Sequence, residues 1–236
     1  MHSSKKQLVL IPGLICTKDL WEHQIKELNN GINIIVVDHS KFTTMNSLVN
    51  DILFKIEGEF ALCGLSMGGY IALDIMRKAP ERVSKLCLVA TQAGLDEETF
   101  KKRRLDFIKL AKTGNFKGMS PLLIRNFIHP DRLNDNSITD VIYKMAHETG
   151  ADGFINQSKV ILDRIDSRPF LKDIKCPTMI IAGCDDQRVS MSLAEEMAFL
   201  IPKSELITIT NCGHLPPLEK PKETTNHMKF WLNKQI

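Results

Sequence analysis

The sequence is poor in everything that would direct a chain to a membrane, to nucleic acid or out of the cell. No run approaches the ~20 apolar residues of a membrane helix, so membrane insertion is not expected. The start, Met-His-Ser-Ser-Lys-Lys, leads only into the brief apolar run Leu8 to Ile11. No small-residue cleavage pattern follows it, and no signal peptide is expected. The net charge of +3 over 236 residues is too small to suggest a nucleic-acid partner or a charged membrane surface. Six cysteines (Cys16, Cys63, Cys87, Cys176, Cys184 and Cys212) include no C-x-x-C pair, and several fall in strand-like runs. Buried free thiols in a reducing, cytoplasmic setting are the simple expectation. There is no internal repeat and no low-complexity linker.

What is present is an ordinary globular mixture, 43% apolar and 25% charged. Its length suits one domain, or one domain with a sizeable insertion. Nearly continuous apolar runs of strand length occur at Gln7–Ile11, Ile32–Val37, Phe60–Cys63, Val83–Val89, Thr178–Ala182 and Glu205–Ile209. Runs without alternation are expected of strands buried on both faces of a parallel sheet. Helix-like segments lie between them, at Lys18–Leu28, Met45–Ile56, Met67–Lys78, Met191–Leu200 and Lys222–Asn233. Strands alternating with helices predict right-handed βαβ units and an α/β sheet. From about Gln92 to Lys175 the strands stop. One helix is expected after Asp96-Glu97-Glu98, ending near Gly114, with three more at Pro121–Phe127, Ser137–His147 and Phe154–Ile165. This predicts a core domain of residues 1–91 and 176–236, interrupted by a helical insertion at 92–175.

The chemistry is concentrated at three strand ends. Gly64-x-Ser66-x-Gly68 sits directly between a strand and a helix, the setting of a nucleophile elbow. A serine hydroxyl needs a base within reach, and the base needs an acid to hold its tautomer. Gly183-Cys-Asp-Asp follows the fifth strand and offers Asp185 or Asp186; Gly-His-Leu-Pro-Pro follows the last and offers His214. Taken singly, Ser66 would be a helix N-cap, the aspartate a turn residue and His214 a loop histidine. Together, and in this order, they read as a triad.

On these residues the chain resembles the α/β-hydrolase fold superfamily, and in particular its small carboxylesterase-like members. The resemblance covers nearly the whole chain. It rests on Leu-Val-Leu-Ile-Pro-Gly, Gly-Leu-Ser-Met-Gly-Gly, Cys-Pro-Thr-Met-Ile-Ile-Ala-Gly-Cys-Asp-Asp and Gly-His-Leu-Pro-Pro-Leu-Glu-Lys-Pro. It implies a mostly parallel sheet of about six strands flanked by helices, with the helical insertion acting as a cap. It implies Asp186 as the acid, since the family's acid usually lies three residues past the strand-end glycine. It assigns the oxyanion hole to the backbone N–H groups of Met67 and Leu14, with Pro12 standing where many relatives have histidine. No metal or organic cofactor is implied.

The expected activity is hydrolysis of a carboxylic ester or thioester through an acyl-enzyme. A lyase using the same triad as a base, or a non-catalytic binding protein on the same scaffold, are the alternatives. Met119, Leu122, Leu123, Phe127, Ile128, Met145 and Phe154 of the insertion would suit an acyl pocket, and equally a helical core. Between Thr99 and Arg132 stand nine basic residues (Lys101, Lys102, Arg103, Arg104, Lys109, Lys112, Lys117, Arg125 and Arg132) against Asp106 and Asp131. Such a cluster is either a solvated face or a docking surface for an anionic substrate or an acidic carrier protein.

Overall fold

In the computed structural model, which describes residues 6–116 and 118–234, six strands form one parallel sheet in the order β2-β1-β3-β4-β5-β6. The strands are β1 (Lys6–Ile11), β2 (Ile32–Val36), β3 (Phe60–Leu65), β4 (Val83–Val89), β5 (Thr178–Gly183) and β6 (Ser204–Ile209). Their continuous apolar character follows from their position. Val9, Ile11, Leu62, Leu88 and Ile180 point into one core, while Leu8, Leu10, Cys63, Val89 and Ile181 point into the other. Each fully buried aliphatic side chain there contributes on the order of 1.5–3 kcal/mol. All six cysteines are free thiols, four of them buried.

One face is covered by α2 (Met45–Lys55), α3 (Met67–Lys78) and α7 (Met191–Leu200); the other by α1 (Glu22–Leu28) and α9 (Pro221–Asn233). The segment expected to be helical from Lys18 begins instead as a 3-10 turn, Lys18–Trp21, which buries Leu20 and Trp21 before α1 starts. Thr44 caps α2, its hydroxyl accepting from Ser47 N.

Between β4 and β5 the described residues form α4 (Glu98–Leu110), a single-turn α5 (Pro121–Ile124) and α6 (Asn136–Leu162), with no strand. Two separate helices were expected where α6 runs. The two halves join into one element broken at Gly150, whose φ of 63° and ψ of −175° lie outside helical space. The halves serve different cores: Ile138, Ile142 and Met145 join the α9 side, while Val160 and Ile161 join the α3 side. The insertion thus straddles the sheet at the carboxyl ends of its strands. A short helix not expected from sequence, α8 (Pro216–Glu219), follows the last strand. Among the described residues no helix is long and apolar enough to cross a membrane.

The strand order changes direction between β1 and β3. β1 connects to β2 on one side, and β3 leads on to β4 on the other. The crevice beyond the carboxyl ends at such a switch point is where open α/β sheets place ligands.

Candidate active site

Ser66 lies at this crevice, between β3 and α3, with φ 54° and ψ −113°. A serine reaches this backbone conformation only when its surroundings enforce it. Its amide donates to Val89 O at 2.9 Å, and its carbonyl accepts from Gly69 N at 2.9 Å and from the Thr91 hydroxyl at 2.7 Å. The flanking glycines are steric necessities. A Cβ on Gly64 would overlap the Gly68 carbonyl, and one on Gly68 would overlap the carbonyl of Ile11. The turn therefore pushes the Ser66 side chain outward. Among the described residues Oγ has no hydrogen-bond partner, and it faces a cavity of about 500 Å³.

His214 lines the same cavity. Its Nδ1 lies 2.8 Å from Asp186 Oδ2, with both side chains nearly closed to solvent, at 4% and 2% exposure. The second carboxylate oxygen of Asp186 accepts from the amides of Arg188 at 2.7 Å and Val189 at 3.1 Å, so backbone fixes the acid's orientation. Asp185 is turned away, 3.8 Å from the ring of His129 and 43% exposed. The two loops are joined through the backbone, with Asp185 N donating to Cys212 O at 2.9 Å. The histidine loop is held from beneath by buried Glu219, whose carboxylate accepts from Gly213 N, Leu215 N and, across to the insertion, His129 N. Burial pushes the Glu219 carboxyl above its usual range, against these three amides. From the insertion, Phe127 O accepts from His214 N at 2.8 Å, and the Phe127 ring packs edge-on against the imidazole.

The loop after β1 forms the other wall. A Cβ on Gly13 would stand 3.5 Å from that of Ser66. Leu14 N–H and Met67 N–H, the latter at the first position of α3, have no acceptor among the described residues. The next residue, Ile15, has φ 54°. It is held there by Gln157 of α6, whose Oε1 accepts from Ile15 N at 2.8 Å. Gln157 Nε2 reaches His39 Nδ1 at 3.0 Å, and His39 Nε2 reaches Pro12 O at 2.9 Å. A neutral His39 with its proton on Nε2 satisfies both contacts, and burial holds its imidazole below the usual histidine range. Neither residue announced itself in the sequence: each is a lone polar side chain, and 118 positions separate them.

Gln157→Leu should therefore leave Ile15 N–H and His39 Nδ1 unpaired, at about 1–3 kcal/mol of stability. It should also lower kcat by about 10- to 100-fold as the loop loosens, with little change in KM. Thermal melts and steady-state kinetics on a model ester measure both, and an unchanged kcat would mean that the loop holds itself.

Of the nine basic residues between Thr99 and Arg132, Lys102, Lys112 and Arg125 are exposed and Arg132 lies 3.9 Å from Asp135. Lys101 and Lys109 pair within α4 with Glu98 and Asp106. Arg103 and Arg104 face the cleft, and Lys117 lies outside the described residues. Of the apolar insertion residues, Met119, Phe127 and Met145 line the cavity, whereas Ile128 is core and Leu122 is 75% exposed.

A family model described as the alpha/beta hydrolase fold matches residues 56–221. A pimeloyl-[acyl-carrier protein] methyl ester esterase of Aromatoleum aromaticum is 24% identical, over 93% of this chain and 95% of the relative. A monoacylglycerol lipase of Bos taurus is 27% identical over 93% of this chain and 73% of its own. Among solved structures, a malate-bound thermophilic esterase from Thermogutta terrifontis superposes with a TM-score of 0.90 at 26% identity, covering 96% of this chain and 89% of that one.

Proposed function

The chain belongs to the alpha/beta hydrolase fold family, as an enzyme of its ester-cleaving kind, and on that premise we propose a serine hydrolase that works through an acyl-enzyme. The observation that carries this reading is the closed His214–Asp186 pair at 2.8 Å, on the same cavity as a strained, outward-facing Ser66.

Asp186 accepts the Nδ1–H of His214, which leaves Nε2 free to accept a proton. As Ser66 Oγ attacks the carbonyl carbon, its proton passes to Nε2 and the carbonyl electrons become an oxyanion. The amides of Met67 and Leu14 are placed to donate to that oxygen, and the positive end of α3 adds to them. Collapse of the adduct expels an alcohol or thiol, which takes the proton from Nε2. Water, deprotonated by the same nitrogen, then attacks the acyl-Ser66 ester and releases the acid. In this reading residues 92–175 act as a cap, and Phe127 ties that cap to the histidine loop.

The substrate is an ester or thioester, with an anionic substrate or an acidic carrier protein meeting the basic side of α4. A panel of esters and thioesters of varied acyl length and charge, assayed at low and high salt, tests this. An acyl adduct on the Ser66 peptide should be trapped by acid quench and mass spectrometry. Turnover of charged members should fall with salt, because exposed charges are screened within about 10 Å at 0.1 M. Turnover without an adduct would remove the covalent route.

A further inference from the structure

The cleft continues past the reacting end into a second lobe of about 490 Å³, and the boundary between the two is lined by Leu14, Ile15, Phe127, Arg104 and Arg188 among others. Its walls are mostly apolar, formed by Phe107, Leu110, Leu123 and the pair Phe116 and Phe154, whose rings stack at 4.9 Å, with Ser120, Asn126 and Gln187 between them. Three guanidinium groups border this apolar space: Arg103 and Arg104 from α4, and Arg188 from the loop after β5. Arg104 meets Asp96 at 2.9 Å, but Asp96 also takes Arg164 at 2.8 Å, so one carboxylate serves two cations.

Arg103 and Arg188 have no carboxylate within ion-pair reach among the described residues. Each instead lies over an aromatic ring, Arg103 5.5 Å from the centre of Phe107 and Arg188 5.2 Å from that of Phe127. Of the other carboxylates on the cleft, Glu196 faces Arg168 at 3.8 Å, and Glu97 sits at the start of α4. Ring stacking orients a guanidinium without neutralising it. The Arg103 and Arg188 side chains both keep exposed outer faces, while partial desolvation against the cleft wall and the like charges of Arg104 and Arg103 lower the Arg188 guanidinium from its usual range. Like charges gathered on one cleft without a carboxylate between them disfavour one another, and an anion placed among them relieves that repulsion.

We infer that Arg103 and Arg188 form a clamp for a carboxylate at the far end of an apolar substrate chain whose ester lies at Ser66. This deepens the hydrolase reading and rests on it. The planar fork of arginine matches two carboxylate oxygens, and the stacked rings fix the fork before the substrate arrives. Arg188 adds a second role to a loop already committed to Asp186: its amide holds the acid while its side chain reaches the substrate.

The test is equilibrium binding to the Ser66→Ala protein, which needs no turnover. Calorimetric titration compares the monomethyl and dimethyl esters of adipic and suberic acid, chains of equal length with and without a terminal carboxylate. At least one monoester should bind about 10- to 100-fold tighter than its diester, the range of a charge-assisted contact. Arg103→Gln with Arg188→Gln should abolish the difference, and Arg188→Lys, which keeps the charge but not the fork, should reduce it. If neither monoester binds tighter than its diester, whether both bind or neither does, the clamp is overturned. So does a preference that survives in a folded double variant. Hydrolysis of p-nitrophenyl acetate, which carries no anionic end, is followed separately in the wild-type protein. Its absence would remove the hydrolase reading and leave the binding result standing.

Discussion

Ser66→Ala is expected to lower kcat by about 10⁴- to 10⁶-fold, the loss seen when a triad nucleophile is removed and only binding and oxyanion contacts remain. The fold should survive the change. The contacts that set the elbow are made by the backbone of Ser66, to Val89, Gly69 and Thr91, and alanine keeps all of them. Alanine at φ 54° carries the same kind of strain as serine, and the side chain removed has no partner among the described residues. Thermal melts should therefore shift little while labelling by a fluorophosphonate disappears. A labelled Ser66→Ala protein would assign the nucleophile elsewhere.

Asp186→Asn should cost about 10³- to 10⁴-fold in kcat, because an amide opposite Nδ1 favours the tautomer that puts the proton on Nε2. The imidazole could then no longer accept from Ser66. Asp185→Asn is the matched control, one residue away. Its carboxylate faces His129 at 3.8 Å and is 43% exposed, so kcat/KM should change by less than about fivefold. If the two effects were reversed, the acid would be Asp185 and the loop would have to turn over in the working enzyme. Titration of both variants against pH separates a tautomer effect from unfolding, since the folded Asp186→Asn protein should keep its melting profile.

Much of the architecture was legible because its signals are local. Continuous apolar runs marked strands buried on two sides, and the structure places all six in one parallel sheet. The elbow was legible because Gly64 and Gly68 answer to contacts a few residues away, or to the adjoining strand. Helix ends in the insertion were less so. The sequence pattern left residues 148–153 between two separate helices, yet packing on both cores carries α6 across Gly150 as a broken element. The short α8 was missed because Pro216 and Pro217 read as loop, although proline suits the first turn of a helix.

By itself the sequence determined the layer pattern, the strained turn at Ser66 and the chain order in which an acid and a histidine leave later strand ends. These depend on periodicity and on backbone sterics, which act over a few residues. Only the tertiary structure decided which of two adjacent aspartates faces His214, since that follows from how Arg188 N and Val189 N close on one carboxylate. Only it joined Gln157 to His39 and Ile15 behind the loop after β1, and set Arg188 and Arg103 on one cleft. Such contacts link elements far apart in the chain. They leave no periodicity to read, because what fixes them is the packing of the insertion over the sheet.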